Sequence, residues 1–249
     1  MDAIATYALR LGDDSLILGQ RLSEWCGHAP ALEVDLSLAN VALDQVGQAT
    51  HFLNLAGELE GKGRDGDALA FRRDVMDFTN CLLVEQPNGD FAQTIARQLL
   101  FSHYQELLFT ALTASKNATI AAIAAKAVKE TAYHATLASD WVVRLGDGTE
   151  ESKTRMIAGL DWMWRFADEL FVTDDVDAAA IKAGVGIDKA SLRAAWDARI
   201  DATLAEATLA RPAPRRATTG GRVGRHSEHL GHLLSDMQFL QRAYPGATW

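Results

Sequence analysis

Only five prolines occur in the chain of 249 residues, at positions 30, 87, 212, 214 and 245. Proline removes a backbone donor and clashes with the preceding turn, so stretches 31–86 and 88–211 are free to be helical throughout. Both are rich in Ala and Leu, which favour helix. Apolar residues recur in them at alternating steps of three and four for about twenty residues at a time, whereas strand-like alternation is short or absent. The chain reads as all-α.

Punctuation between the periodic stretches places the helices. A first is expected over Thr6–Cys26, kinked near Gly12 and ended by Gly27 and Pro30. A second runs over Glu33–Leu59 and is closed by GKGRDGD. A third follows Asn88 or Asp90 as cap and continues to Ala114, and a fourth spans Ala118–Leu145 and stops at GDG. Four long helices with short loops at most junctions predict an antiparallel four-helix bundle. Beyond it come an aromatic helix over Thr154–Phe171, one from Asp188 to Leu209, an arginine-rich break over 211–225, and a last helix over Ser227–Arg242. The expected organisation is a single helical domain over residues 1–249. Its core bundle covers about 6–145 and its additional C-terminal helices about 154–243.

At 48% hydrophobic and 23% charged residues the composition is that of an ordinary globular chain. No window approaches the length of apolar run that spans a bilayer, and MDAIATYALRLGDD has neither the basic start nor the apolar run of a secretion signal. A cytoplasmic protein is expected. With 24 basic against 33 acidic residues, the net charge of −9 argues against nucleic acid, which needs a basic face. Cys26 and Cys81 lack a Cys-x-x-Cys spacing and are expected to be buried free thiols.

The stretch VALDQVGQATHFL carries the most specific chemical clue. The apolar stripe Val34, Leu38, Val41, Phe52, Leu55 and Leu59 passes through Gln45 and Gln48, so two neutral amides sit inside the seam. A di-iron bundle would instead place a Glu on each of two helices and a Glu-x-x-His on each of the others, because residues three apart share a face. Gln45-Val-Gly-Gln48 has that spacing without that chemistry. Thr131-Ala-Tyr-His134 keeps the imidazole and lacks the carboxylate. The third helix offers Gln98, Ser102 and Gln105 in its seam, and the first offers Gln20 and Ser23. Amide oxygens are weak neutral donors that replace bridging carboxylates poorly. Amides and hydroxyls can instead satisfy one another or water across a core. Glu24, Glu106 and Glu130 lie one position off the seam, as solvated or ion-paired flank residues or, with His134, as an altered metal site.

Two other clusters stand out. His226, Glu228, His229 and His232 include a pair three apart that could share a zinc, but Ser227 with Glu228 also reads as a helix start. The break carries Arg211, Arg215, Arg216, Arg222 and Arg225 and no acid. It is either a solvated loop or a contact for an acidic patch or a phosphate-bearing ligand. No nucleophile elbow or phosphate-cradling loop is present.

The strings YALRLGDDSLILGQRLSEWCGHAPALEVDLSLANVALDQVGQA, LLVEQPNGDFAQTIARQ and TGGRVGRHSEHLGHLLSDMQFLQRAYPGATW resemble the PaaC family of phenylacetyl-CoA epoxidase components from about residue 5 onward. The resemblance implies a ferritin-like fold and a place in a multicomponent oxygenase of phenylacetate degradation, which epoxidises the ring of phenylacetyl-CoA with dioxygen. It implies a non-catalytic structural subunit that pairs with a homologous di-iron catalytic subunit (PaaA-like), beside a small subunit (PaaB-like) and a reductase component. The di-iron would belong to the catalytic subunit, NADPH, FAD and iron-sulfur to the reductase, and no cofactor to this chain. Gln45, Gln48, Thr131 and His134 then stand at degenerate ligand positions, with Gln20 and Ser102 as further candidates. Arg222 and Arg225 become candidates for CoA or partner contact, and Trp162, Trp164 and Phe166 for a partner interface. An autonomous di-iron oxygenase or ferroxidase with an altered ligand set is the competing expectation.

Overall fold

A computed structural model describes residues 2–214 and 216–247. Among the described residues all regular structure is helical, which is the all-α fold that the proline spacing predicts. The chain divides into two compact units, one formed by 1–86 with 220–249 and the other by 87–219.

In the first unit, α1 (Ala3–Ser23) and α2 (Leu32–Glu60) form a helical hairpin. Asp2 caps α1 by accepting from the Ile4 amide, and Gly61, with φ 68°, closes α2 through a bond to the Gly57 carbonyl. Helix α1 is not interrupted at Gly12 and runs on to Ser23. A Cβ at Gly12 would lie 2.7 Å from Leu53 Cδ2, so this glycine serves close packing of α1 against α2. Short helices α3 (Gly66–Phe71) and α4 (Leu82–Glu85) follow, and the chain returns later with α10 (Glu228–Met237) and α11 (Phe239–Ala243). Both α4 and α10 lie against α1. Cys81 is buried, but Cys26, in the turns after α1, is exposed, contrary to expectation.

The second unit is built on α5 (Phe91–Leu112) and α6 (Ala118–Gly146), capped by Asp90 and Asn117. Helix α7 (Glu150–Ala167) starts four residues before its expected position, because Thr149 and Ser152 form a reciprocal capping box. Helix α8 (Asp175–Lys182), capped by Asp174, was not expected. Helix α9 (Arg193–Glu206) follows a 3-10 turn capped by Asp188. Both α7 and α9 pack on α5. Trp196 fixes this core: it is fully buried, its indole N–H donates to the Leu100 carbonyl at 2.9 Å, and it meets Phe171 and Trp164 with ring centroids 5.2 and 5.9 Å away.

Candidate functional site

On α2 the seam is buried through Val34, Leu38, Val41, Phe52 and Leu55, but Leu59, expected to continue it, is 38% exposed in the last turn of the helix. Gln45 and Gln48 lie within it at 0% and 2% exposure. The Gln48 amide oxygen accepts from Ser15 of α1 at 3.5 Å. Gln20 is half-buried. In the second unit, Thr131 and His134 of α6 and Gln98, Ser102 and Gln105 of α5 are all buried. The Thr131 hydroxyl donates back to the Ala127 and Val128 carbonyls at 3.0 and 3.2 Å, a local bond that occupies its only proton. The Gln98 carbonyl oxygen and the Ser102 hydroxyl, one turn apart on α5, are buried without a hydrogen-bond partner.

The nearby carboxylates belong to cations. Glu24 pairs with Arg21 at 2.8 Å, Glu106 accepts from Arg199 at 2.6 Å, and Glu130 lies 3.9 Å from Lys126. Each pairing is that of a flank residue. Among the described residues, no group of three or more His, Cys, Asp or Glu side chains could hold a metal ion. Neither the buried amides of the first unit nor the amides, hydroxyls and one imidazole of the second fit a di-iron centre, which needs several anionic ligands to balance its charge.

The first unit holds a set of buried charges that the periodicity did not reveal. Asp13 is bound by Arg73 through both guanidinium NH₂ groups and accepts from the Thr79 amide and hydroxyl at 2.8 and 2.9 Å. Its neighbour Asp14 is held by Arg222 at 2.7 and 3.0 Å and by the Cys81 amide at 2.8 Å. Glu85 accepts from His226 Nδ1 and the Ser227 amide at 2.7 Å, the Ser227 hydroxyl at 2.8 Å and Asn80 at 2.9 Å. Arg21 donates to the Glu85 and His229 carbonyls. Paired and hydrogen-bonded in this way, charges can be buried at tolerable cost. The available signal was GDD in the middle of an otherwise apolar helix.

The histidine and arginine clusters therefore divide. Ser227 occupies the cap position of α10, but its hydroxyl serves Glu85 instead of the helix. His226 Nε2 faces the Phe78 carbonyl at 2.9 Å, so both ring nitrogens face acceptors. Burial pushes the His226 pKa down, but Glu85 and the Phe78 carbonyl outweigh it and the net shift is upward. His229 is half-buried and His232 exposed. Arg222 is committed to Asp14, and Arg211 to Asp197 and Asp201. Arg216 and Arg225 are exposed, and Arg215 lies outside the described residues.

The aromatic surface expected of Trp162, Trp164 and Phe166 reduces to Trp162, which is 37% exposed beneath the Arg165 guanidinium. Trp164 and Phe166 are buried, because α9 brings Trp196 against Trp164. Among the described residues, no helix is long and apolar enough to cross a membrane.

The family model described as phenylacetic acid catabolic protein matches residues 1–249. The chain is similar to the C subunit of 1,2-phenylacetyl-CoA epoxidase from Escherichia coli (strain K12), with 51% identity over all of both chains. With its full length covered by both matches, the chain belongs to the phenylacetic acid catabolic protein family.

Proposed function

We propose that the chain is the non-catalytic structural subunit of a cytoplasmic phenylacetyl-CoA 1,2-epoxidase, and that it pairs with and stabilises a homologous di-iron catalytic subunit. The buried pair Gln45 and Gln48 carries this reading: it has the spacing of a Glu-x-x-His ligand frame and none of its charge. The end-to-end likeness to the Escherichia coli epoxidase component supports it. On this reading the di-iron belongs to the catalytic subunit, a small subunit joins the assembly, and NADPH, FAD and iron-sulfur belong to the reductase component. Of the residues expected to meet CoA or a partner, Arg225 and Trp162 are exposed, whereas Arg222 neutralises Asp14 and Trp164 and Phe166 are buried.

The test is iron analysis of the chain purified alone and co-expressed with its candidate catalytic subunit. Iron should track the partner and be absent from the chain alone. Stoichiometric iron in the isolated chain, or epoxidation by it with only a reductase supplied, would overturn the reading.

A further inference from the structure

We infer that residues 220–227 form a proton-dependent latch on the first unit, held shut while His226 is protonated and released locally as it loses that proton. The segment lies on the extended stretch Phe78–Cys81, which joins a 3-10 turn to α4 and belongs to no sheet. Backbone groups of that stretch are met by charged side chains instead. Thr79 and Cys81 donate their amides to Asp13 and Asp14 of α1, while the Phe78 and Thr79 carbonyls accept from His226 and Arg222. The fit is close, because a Cβ on Gly221 or Gly224 would collide with the Asn80 or the Met76 carbonyl oxygen.

Arg222 keeps its charge across the neutral and alkaline range, and His226 does not. The His226 side chain is buried with Nδ1 2.7 Å from Glu85 Oε2 and Nε2 2.9 Å from the Phe78 carbonyl. Only an imidazolium can donate at both positions, so loss of either proton turns a ring lone pair toward an acceptor oxygen.

The surrounding charges sharpen this dependence. Asp13 and Asp14 of α1 and Glu85 of α4 are answered by Arg73, Arg222 and His226 itself. Arg10 and Arg21 of α1 donate to the Arg222 and His229 carbonyls, His229 is half-buried on α10, and Arg225 and Glu228 are exposed. Deprotonation leaves the three acids one cation short. Burial works against the proton, but Glu85 and the Phe78 carbonyl outweigh it and raise the His226 pKa. The latch is therefore tight below about pH 6.5 and weakens as pH rises through the raised value.

Cys81 reports the opening, since it is buried between Asn80 and Leu82, whose backbone lies against Gly221; exposed Cys26 in the same chain is the internal standard. The full-length chain is treated with iodoacetamide between pH 6 and 9, and the labelling rate of Cys81 relative to Cys26 is read by mass spectrometry. The ratio should rise at least about 10-fold over that range, the equivalent of one charge-assisted hydrogen bond. His226→Gln should label faster at pH 6 and show no pH dependence. Ser227→Ala, which removes a donor to Glu85 that does not titrate, should label faster and keep the pH dependence. Between 0 and 1 M urea the wild-type ratio should change less than about 3-fold, because a local opening exposes little surface. A ratio that stays flat with pH, or a rise that survives in His226→Gln, would overturn the latch. A steeper urea dependence would show that the whole unit opens and would overturn it as well. Should His226→Gln fail to fold, the wild-type pH and urea series decide alone.

Discussion

Replacing Glu85 with glutamine keeps the shape of a fully buried side chain and removes its charge. The carboxylate receives two donors on each oxygen, His226 and Asn80 on Oε2 and the Ser227 amide and hydroxyl on Oε1. In glutamine one oxygen becomes an NH₂ group that must face one of these pairs. The serine hydroxyl can rotate to accept, but a backbone N–H or an imidazolium N–H cannot, so at least one buried donor loses its partner. Breaking a buried charge pair costs about 3–5 kcal/mol. Because the amide keeps the bonds to its remaining oxygen, the lower end applies, about 3 kcal/mol. In a chain of this length that lowers the melting temperature by about 6–12 °C.

The effect carries a pH signature. His226 has a raised pKa in the folded chain, so its protonated form is the one the fold favours. Its contribution is fully present below the unfolded value of about 6.5 and is lost as pH rises through the folded value. The gap between wild type and Glu85→Gln should therefore be widest near pH 6 and narrow on the alkaline side. Thermal melts followed by circular dichroism between pH 5.5 and 9 measure both quantities. A gap that is absent, or that widens with rising pH, would refute the assignment of a protonated His226 on Glu85.

Three further expectations use the same melts. Arg222→Ala strands Asp14 in a buried position with the Cys81 amide among its few remaining donors, and should cost about 3–5 kcal/mol; retained stability would return Arg222 to the candidates for CoA or partner contact. Trp164→Ala should destabilise by about 3–5 kcal/mol and Trp162→Ala by less than about 1 kcal/mol, separating the core indole from the surface one. His103 has its pKa pushed down to about 4 by burial and by the Arg199 charge, so the fold favours its neutral form. Stability should fall by about 3 kcal/mol as pH drops from 6.5 to 4, and His103→Gln should flatten that slope.

Helix existence was legible because proline positions and three-and-four spacing are local properties. Boundaries were legible wherever a cap is local, as with Asp90, Asn117 and Gly61. Helix α8, with only eight residues, is too short for periodicity to register. Gly12 was misread because nothing in the local sequence says that Leu53 lies against it. Burial of Trp164 likewise depends on Trp196, which belongs to a different helix. The buried charges escaped for the same reason at longer range: Asp13 finds Arg73 60 residues away, and Asp14 finds Arg222 208 residues away. An arginine on a loop, seen only in sequence, looks like a free cation; its partner is set by the fold.

Helix α2 departs at a few positions from what a helix stabilising one isolated chain would show. It buries Leu38, Leu53 and Leu55 as such a helix does, but it also buries Gln45 and Gln48 and leaves Leu36 and Leu43 exposed. Burying an amide costs free energy that a hydrogen bond only offsets, and exposing leucine forfeits about 1.5–3 kcal/mol of burial per side chain. Neither choice is explained by the stability of this chain alone. The inner face keeps the register of a ligand frame without its charge. On the proposed reading, a chain that supports a metal-bearing partner without chemistry of its own would keep that register and lose the ligands, which makes the buried glutamines of α2 the place where the subunit role can be tested.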